Sequence, residues 1–551
     1  MRLLPRILAD EDELDRPSEG DPGLSAQPSF PPAPPALWLA AVAAGALVPR
    51  LVYLFAFTDP ENAGHGFTDA YHHWQIAYLT KEIGLTAPDG PRLWDLKGLD
   101  YFWGVLHPLL MVAIFTVSGS IDIVLLRLVS LTFGVVAVVL LFDICRRHWG
   151  VGPAVAATLF AALLPTSVMN DASGMLEPMG VALVLFGIWA WSSGRGFWSG
   201  LAFGLATMVR AEAWLFSLGL VIAAQRGRIN ARARPGLWLG FGGVLIAYVW
   251  LLWAKTGNPI YPLWWNFFAN ALGAWGTPIT SEQTVVRPLL GVVLIAGLVG
   301  LALSLKLRPN GYMLLTFGFG YCVFSAGMLG FTSFLSTWLW WTPISRRFEF
   351  PFVFVGVLVA VGLIYLLPRR FGIGVRGIGW TATVGLLVAS QLLWLPIDRA
   401  FGPTEADWKA VVADSVELGS WYEQAPYHGH ALAVPPDRPD VTYGLARFGG
   451  VEGTHLVSEM YDPIAYLPAG YRYEDHSATV STLVQCWLTR NDIRMIAVQR
   501  GDSIRGLVVI QNQTWFTRLG SMDAVHWVVE GAAAPPVSNA DCAAAKAAVP
   551  N

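Results

Sequence analysis

The sequence predicts a mainly α-helical, polytopic membrane protein with a small α/β domain at its C-terminal end. Three observations carry that reading. The 551 residues are 54% hydrophobic and only 14% charged, more apolar surface than one water-facing domain can bury. The apolar residues fall in serial runs, each suited to crossing about 30 Å of hydrocarbon. The 25 Trp residues suit the headgroup zone, where an amphipathic ring has a wet and a dry side.

Residues 1–35 are acidic and Pro-rich, ending in Pro31-Pro32-Ala33-Pro34-Pro35. This stretch has too little apolar content to fold alone and is expected to be a disordered cytoplasmic leader. It lacks the pattern of a cleaved signal peptide. Residues 36–397 hold the expected membrane domain, with about 11 spans: 36–57, 122–144, 152–168, 178–194, 197–209, 212–225, 236–255, 287–305, 311–330, 350–367 and 377–397. The fifth and sixth meet at Arg210-Ala211-Glu212, the pattern of a broken hairpin with a structural ion pair.

Charge bias sets the orientation. If the apolar stretch 101–118 stays on the outer surface, Arg146-Arg147, Arg195, Arg226 to Arg234, Lys306, Arg308, Arg369, Arg370 and Arg376 all fall inside. The first outer loop, 59–121, then carries two surface helices, about 70–84 and 103–118. Residues 398–551 return to ordinary polarity, with helical character near 405–424 and short β-like runs at 431–434 and 495–498. They form the expected extracytoplasmic domain, large enough to bury its own core. Four Cys are too few for a disulfide framework, but Cys486 and Cys542 share this tail, where a bridge is possible on an oxidising face. A net charge of -3 argues against nucleic acid as a partner.

The outer loops collect the groups able to do chemistry. The first holds Thr68-Asp69, His72, His73, Asp95 and His107, and the second holds Asn170, Asp171 and Glu177. Later loops hold Gly257-Asn258-Pro259-Ile260-Tyr261, then Glu282, then Arg346-Arg347. Carboxylates and Arg facing one cavity suit a phosphate-bearing substrate, held by charged bidentate hydrogen bonds. The carboxylates are suited to taking a proton from an acceptor or to binding Mg²⁺ or Mn²⁺ through oxygen. Plainer roles exist for each: an N-cap for Asp69, a helix-start acid for Glu177, a loop acid for Glu282, lipid headgroup contact for the Arg pair. His72 and His73 read as interfacial polar residues, whose adjacency aims them at different helix faces.

Phe67-Thr68-Asp69-Ala70-Tyr71-His72-His73-Trp74, an amphipathic helix and then Trp94-Asp95 resemble the first outer loop of oligosaccharyltransferase catalytic subunits. More broadly they resemble the GT-C glycosyltransferases that use polyprenyl-linked sugars. Asn170 to Glu177, Ile279-Thr280-Ser281-Glu282-Gln283 and Arg346-Arg347-Phe348 follow in that family's order. The resemblance implies catalytic roles for Asp69, Glu177 and Glu282, with a metal ion held by the same three. It implies phosphate binding by Arg346 or Arg347, and leaves His72, His73, Asp171, Arg210 and Tyr261 as further substrate contacts. Met175 stands where the second motif has its first acid, with Asp171 the nearest substitute. The tail lacks the Trp-Trp-Asp-Tyr-Gly block that reads a sequon, which leaves a glycan, lipid or protein acceptor open.

The function expected is transfer of a sugar or oligosaccharide from a polyprenyl phosphate or pyrophosphate to an acceptor at the extracytoplasmic face of the cell membrane, with inversion. The rival is a transporter or flippase of lipid-linked or anionic solutes. Such proteins place ionisable groups near the midplane on broken helices of paired halves; here the acids gather in outer loops, with no repeat.

Overall fold

The structure, a computed structural model, describes residues 35–64, 68–85, 101, 103–225, 230–264, 277–278, 286–335, 338–339, 349–372, 374–401, 405–426, 428–434, 439–458, 477–499, 516–521, 527–532 and 536–548. The expected leader, Asp95, Glu282, Arg346 and Arg347 lie outside these residues.

Among the described residues the membrane part is mainly helical. α1 (Pro35–Val52), closed by a π turn, leads to α2 (Thr68–Ile83) and α3 (Leu106–Ser118). Then come α4 (Ile123–Trp149), α5 (Val151–Leu163), α6 (Pro165–Asp171), α7 (Glu177–Ser192), α8 (Gly196–Thr207), α9 (Glu212–Ala224) and α10 (Arg234–Thr256). The remainder are α11 (Val286–Leu307), α12 (Tyr312–Leu335), α13 (Glu349–Phe371) and α14 (Val375–Phe401). Among the described residues, five helices are long and apolar enough to cross a membrane, and a sixth span arises if α5 and α6, bent by 60°, count as one. α3, α7, α9 and the described part of α12 are shorter apolar helices, so the expected count of eleven is not reached on length. The bend is chemical: Pro165 lacks the N–H needed to continue α5 and starts α6 instead. The apolar helices make this an integral membrane protein.

Small residues set the closest helix contacts. α8 and α10 approach so tightly that a Cβ on Gly200 would lie 2.0 Å from the Leu237 carbonyl oxygen, and one on Gly240 2.4 Å from that of Phe197. Such contacts replace the hydrophobic drive that lipid cannot supply between helices.

The C-terminal portion begins with α15 (Glu405–Gln424) and continues with β3 (Ala431–Val434), α16 (Pro439–Arg447), β4 (Leu456–Ser458), α17 (Ser477–Arg490), β5 (Ile493–Gln499), β6 (Phe516–Ser521), β7 (Trp527–Ala532) and α18 (Asn539–Ala547). A short ribbon, β1 (Thr277–Pro278) with β2 (Trp338–Leu339), precedes it. The five strands order as β4-β3-β5-β7-β6, parallel from β4 to β5 and antiparallel beyond. Cys486 and Cys542 form a disulfide joining α17 to α18, with Cα atoms 5.8 Å apart.

This portion docks on the loop that carries α2. Tyr71 and Trp74 of α2 pack against Tyr443 with ring centres 5.7 and 4.9 Å apart, and Trp408 stacks on Tyr71. Arg447 bridges Glu61 at 3.0 Å and Asp122 at 2.8 Å. The aromatic residues of one α2 face are therefore used for docking, which leaves its other face for the rest of the molecule.

Candidate functional site

The site is built on that second face. At 100° per residue, Asp69, His72, His73, Ile76 and Thr80 share one side of α2, opposite Tyr71, Trp74 and Tyr78. Asp69, in the first turn, is partly exposed, whereas His72 and His73 are buried. Both imidazoles meet Trp103, at 6.1 and 4.8 Å between ring centres, and His73 also meets His107 at 5.8 Å. The adjacent histidines, expected to aim at different helix faces, point about 100° apart, and the one large indole of Trp103 spans that angle.

Burial lowers the pKa of His72 to about 4, against the opposing pull of Asp69 and Asp440. It lowers that of His107 to about 4 as well, against the pull of Glu177. Both imidazoles are uncharged at neutral pH. His107 also ties the first loop to the second, because Glu177 lies within electrostatic reach of it.

Arg127 of α4 holds the two loops in register. Its guanidinium donates to the carbonyl oxygens of Asp59 (2.8 Å), Pro60 (2.9 Å), Asn62 (2.9 Å) and Ala172 (2.6 Å), and to the Thr58 hydroxyl. Irregular backbone at this depth needs such donors, because buried carbonyls do not go unpaired. Only glycine fits at 174, where φ is +81° and a Cβ would lie 2.3 Å from Leu126.

Arg210 governs Glu177. It sits in the break between α8 and α9, and its Nη1 lies 2.6 Å from the Glu177 carboxylate while its Nε donates to Glu212. Both acids occupy first turns of helices, where the N-terminal partial charge favours them. The break is tied to the first loop by the Leu106 N–H, which donates to the Met208 carbonyl at 2.9 Å. Gly104 lies so close that a Cβ there would stand 2.5 Å from the same oxygen.

Asp171 takes a different place from the one the motif suggests. Fully buried Arg50 of α1 grips it at 2.6 Å, and the carboxylate rests on α4 where Gly134 has no side chain. Asn170 donates to Glu349 of α13 at 3.3 Å. Asp171, Arg50, Glu349 and Ser167 are the polar lining of an otherwise apolar cavity of about 30 Å³. Asp171, the acid nearest to Met175 in the motif, is thus held in an ion pair with Arg50. Tyr261 is buried with Trp214 and Tyr248 in the cluster that also receives Ile76 and Trp103.

The structure therefore gathers His72, His73 and His107 under Trp103 and, beside them, Glu177 with Arg210. It adds Arg127, Arg50, Glu349 and Trp103, which sequence reasoning missed. Of the three carboxylates expected to hold Mg²⁺ or Mn²⁺, Glu177 pairs with Arg210 and Glu282 lies outside the described residues. Among the described residues no group of three or more His, Cys, Asp or Glu side chains is placed to hold a metal ion.

No protein-family model matches the chain, and no curated protein matches it in sequence. Solved structures do match. The apo oligosaccharyltransferase of Archaeoglobus fulgidus superposes with a TM-score of 0.53 at 10% identity, over 84% of this chain and 69% of that one. The chain shares the fold of an oligosaccharyltransferase. The same archaeal enzyme, AglB, in complex with an inhibitory peptide and a dolichol-phosphate, matches with a TM-score of 0.50 at 11% identity over the same shares. ArnT from Cupriavidus metallidurans bound to undecaprenyl phosphate covers 91% of this chain and 100% of its own at 14% identity, with a TM-score of 0.47. This is a fold of the kind that the resemblance of the loop motifs led one to expect.

Proposed function

We propose that this protein is a membrane glycosyltransferase that moves a sugar or oligosaccharide from a polyprenyl phosphate or pyrophosphate to an acceptor at the extracytoplasmic face of the cell membrane. The observation that carries the reading is the position, within a fold shared with an oligosaccharyltransferase, of His107 between His73 on the Asp69 face of α2, 5.8 Å away, and the Glu177–Arg210 pair, whose carboxylate acts on it electrostatically. The AglB neighbour is recorded with a dolichol-phosphate and with an acceptor peptide containing a sequon, the two kinds of molecule that such a site must seat.

In the proposed chemistry, Asp69 accepts the acceptor's proton as its oxygen or nitrogen attacks the anomeric carbon. The bond from that carbon to the phosphate oxygen breaks on the opposite side, which inverts the centre. Arg346 or Arg347 receives the charge growing on the departing phosphate, often the largest catalytic contribution. Arg210 holds the Glu177 carboxylate in place by an ion pair, a positioning role. Glu282 would complete the acceptor side.

The experiment is transfer by the purified protein from a panel of radiolabelled polyprenyl-phosphate and polyprenyl-pyrophosphate sugars to lipid, glycan and peptide acceptors, with and without EDTA. The expected result is a labelled product of inverted configuration from one donor class. No transfer from any donor, together with donor movement across vesicle membranes, would replace the enzyme with a transporter.

A further inference from the structure

We propose that Trp103, His107, Trp214 and Tyr248 form the seat of an uncharged sugar ring on the donor, a subsite that deepens the proposed glycosyl transfer and rests on it. The four come from the Trp103 turn, α3, α9 and α10. His73 touches both Trp103 and His107, and Trp103 packs on the cluster that contains Trp214 and Tyr248, whose rings are 5.6 Å apart.

The chemistry of the cluster selects the ligand. His107 is 1% exposed, and neither ring nitrogen has a hydrogen-bond partner among the described residues. The Trp214 indole N–H and the Tyr248 hydroxyl are likewise buried and unpaired among them. Buried polar groups are nearly always satisfied, so two such atoms in the aromatic cluster, with two more on the His107 ring that His73 joins to Trp103, call for a further partner. The indole only donates, while the phenol and the neutral imidazole can each donate and accept. That partner must therefore both give and take hydrogen bonds and must present a flat apolar face to the rings. Sugar hydroxyls and the C–H face of a pyranose meet both demands.

Other ligands fit less well. A phosphate needs a cation, and among the described residues Arg210 is committed to Glu177 and Glu212. An acyl chain leaves every polar atom unsatisfied. A uronic acid meets the field of Glu177. The geometry selects a neutral hexose.

The test compares equilibrium binding of undecaprenyl phosphate and of undecaprenyl-phosphate glucose, galactose and mannose to the full chain in nanodiscs. Wild type is expected to bind one sugar-bearing lipid at least about tenfold more tightly than the bare lipid, a 1.4 kcal/mol difference. Tyr248→Phe, which removes one oxygen, and His107→Ala should each erase most of that gain and leave bare-lipid affinity unchanged, with His107→Gln recovering part of it. Variants that weaken both lipids alike would make the cluster scaffold and overturn the subsite. A wild type that transfers sugar yet gains nothing from the sugar in binding would overturn the subsite alone and assign the polar atoms to ordered water. Failure to bind any of these lipids would overturn the donor reading and the subsite with it.

Discussion

Two sets of buried polar side chains meet in this fold, and they are satisfied in opposite ways. The charged set, Arg50 with Asp171 and Arg210 with Glu177 and Glu212, is closed: each guanidinium grips a carboxylate within the chain. The neutral set, His107, Trp214 and Tyr248, is open, with hydrogen-bonding atoms that no described residue pairs. Charge explains the difference. An unpaired ion in a low-dielectric interior is far more costly than an unpaired neutral group. A membrane fold must therefore neutralise its ions at once, but it can hold neutral groups ready for a ligand.

The strongest way to break this contrast is to open the closed set. Arg50→Ala strands the Asp171 carboxylate and is expected to cost about 3–5 kcal/mol, read as a lowered unfolding midpoint in detergent. Arg50→Ala combined with Asp171→Ala should recover much of the loss. Gly134→Ala attacks the same pair from the other side, since its Cβ would meet the Asp171 carboxylate, and should destabilise comparably.

Protonation tests the neutral set. His72 and His107 have folded pKa values of about 4, well below the ordinary value of 6.5. Between these values the unfolded chain binds the proton and the folded chain does not, so stability falls as pH drops from 6.5 toward 4. The loss is on the order of 3 kcal/mol for each imidazole. His107→Gln should flatten part of the pH dependence of the unfolding midpoint, while a midpoint independent of pH in this window would mean that the imidazoles are solvated. The smallest effect belongs to Arg447, whose side chain is 42% exposed. Arg447→Gln should cost about 0.5–1 kcal/mol and loosen the docking of the C-terminal portion on α2, measured as faster amide exchange in α2.

Much of this was legible in the chain. Apolar runs marked the helices to within a few residues, and the side of α2 bearing Asp69 follows from helical spacing. The legible signal for the closed set was overlooked: Arg50 and Arg127 stand inside apolar runs, and Glu349 borders one. An ionisable residue in such a place demands a partner. Periodicity could not name that partner, because Asp171 lies 121 residues from Arg50. Nor could it show that the single indole of Trp103 would cover two histidines. A short motif fixes order along the chain and not depth in the bundle, so the motif around Asp171 could not show that Arg50 holds it.

The central claim is that Asp69 performs chemistry at a site held in register by this closed set of charges. Asp69→Asn keeps the shape and the helix-start hydrogen bonding of α2 but removes the base. Sugar transfer by the purified variant, followed in single turnover with saturating donor, should fall by about 10²–10⁴-fold with donor affinity and unfolding midpoint unchanged. Transfer at the wild-type rate would contradict the account.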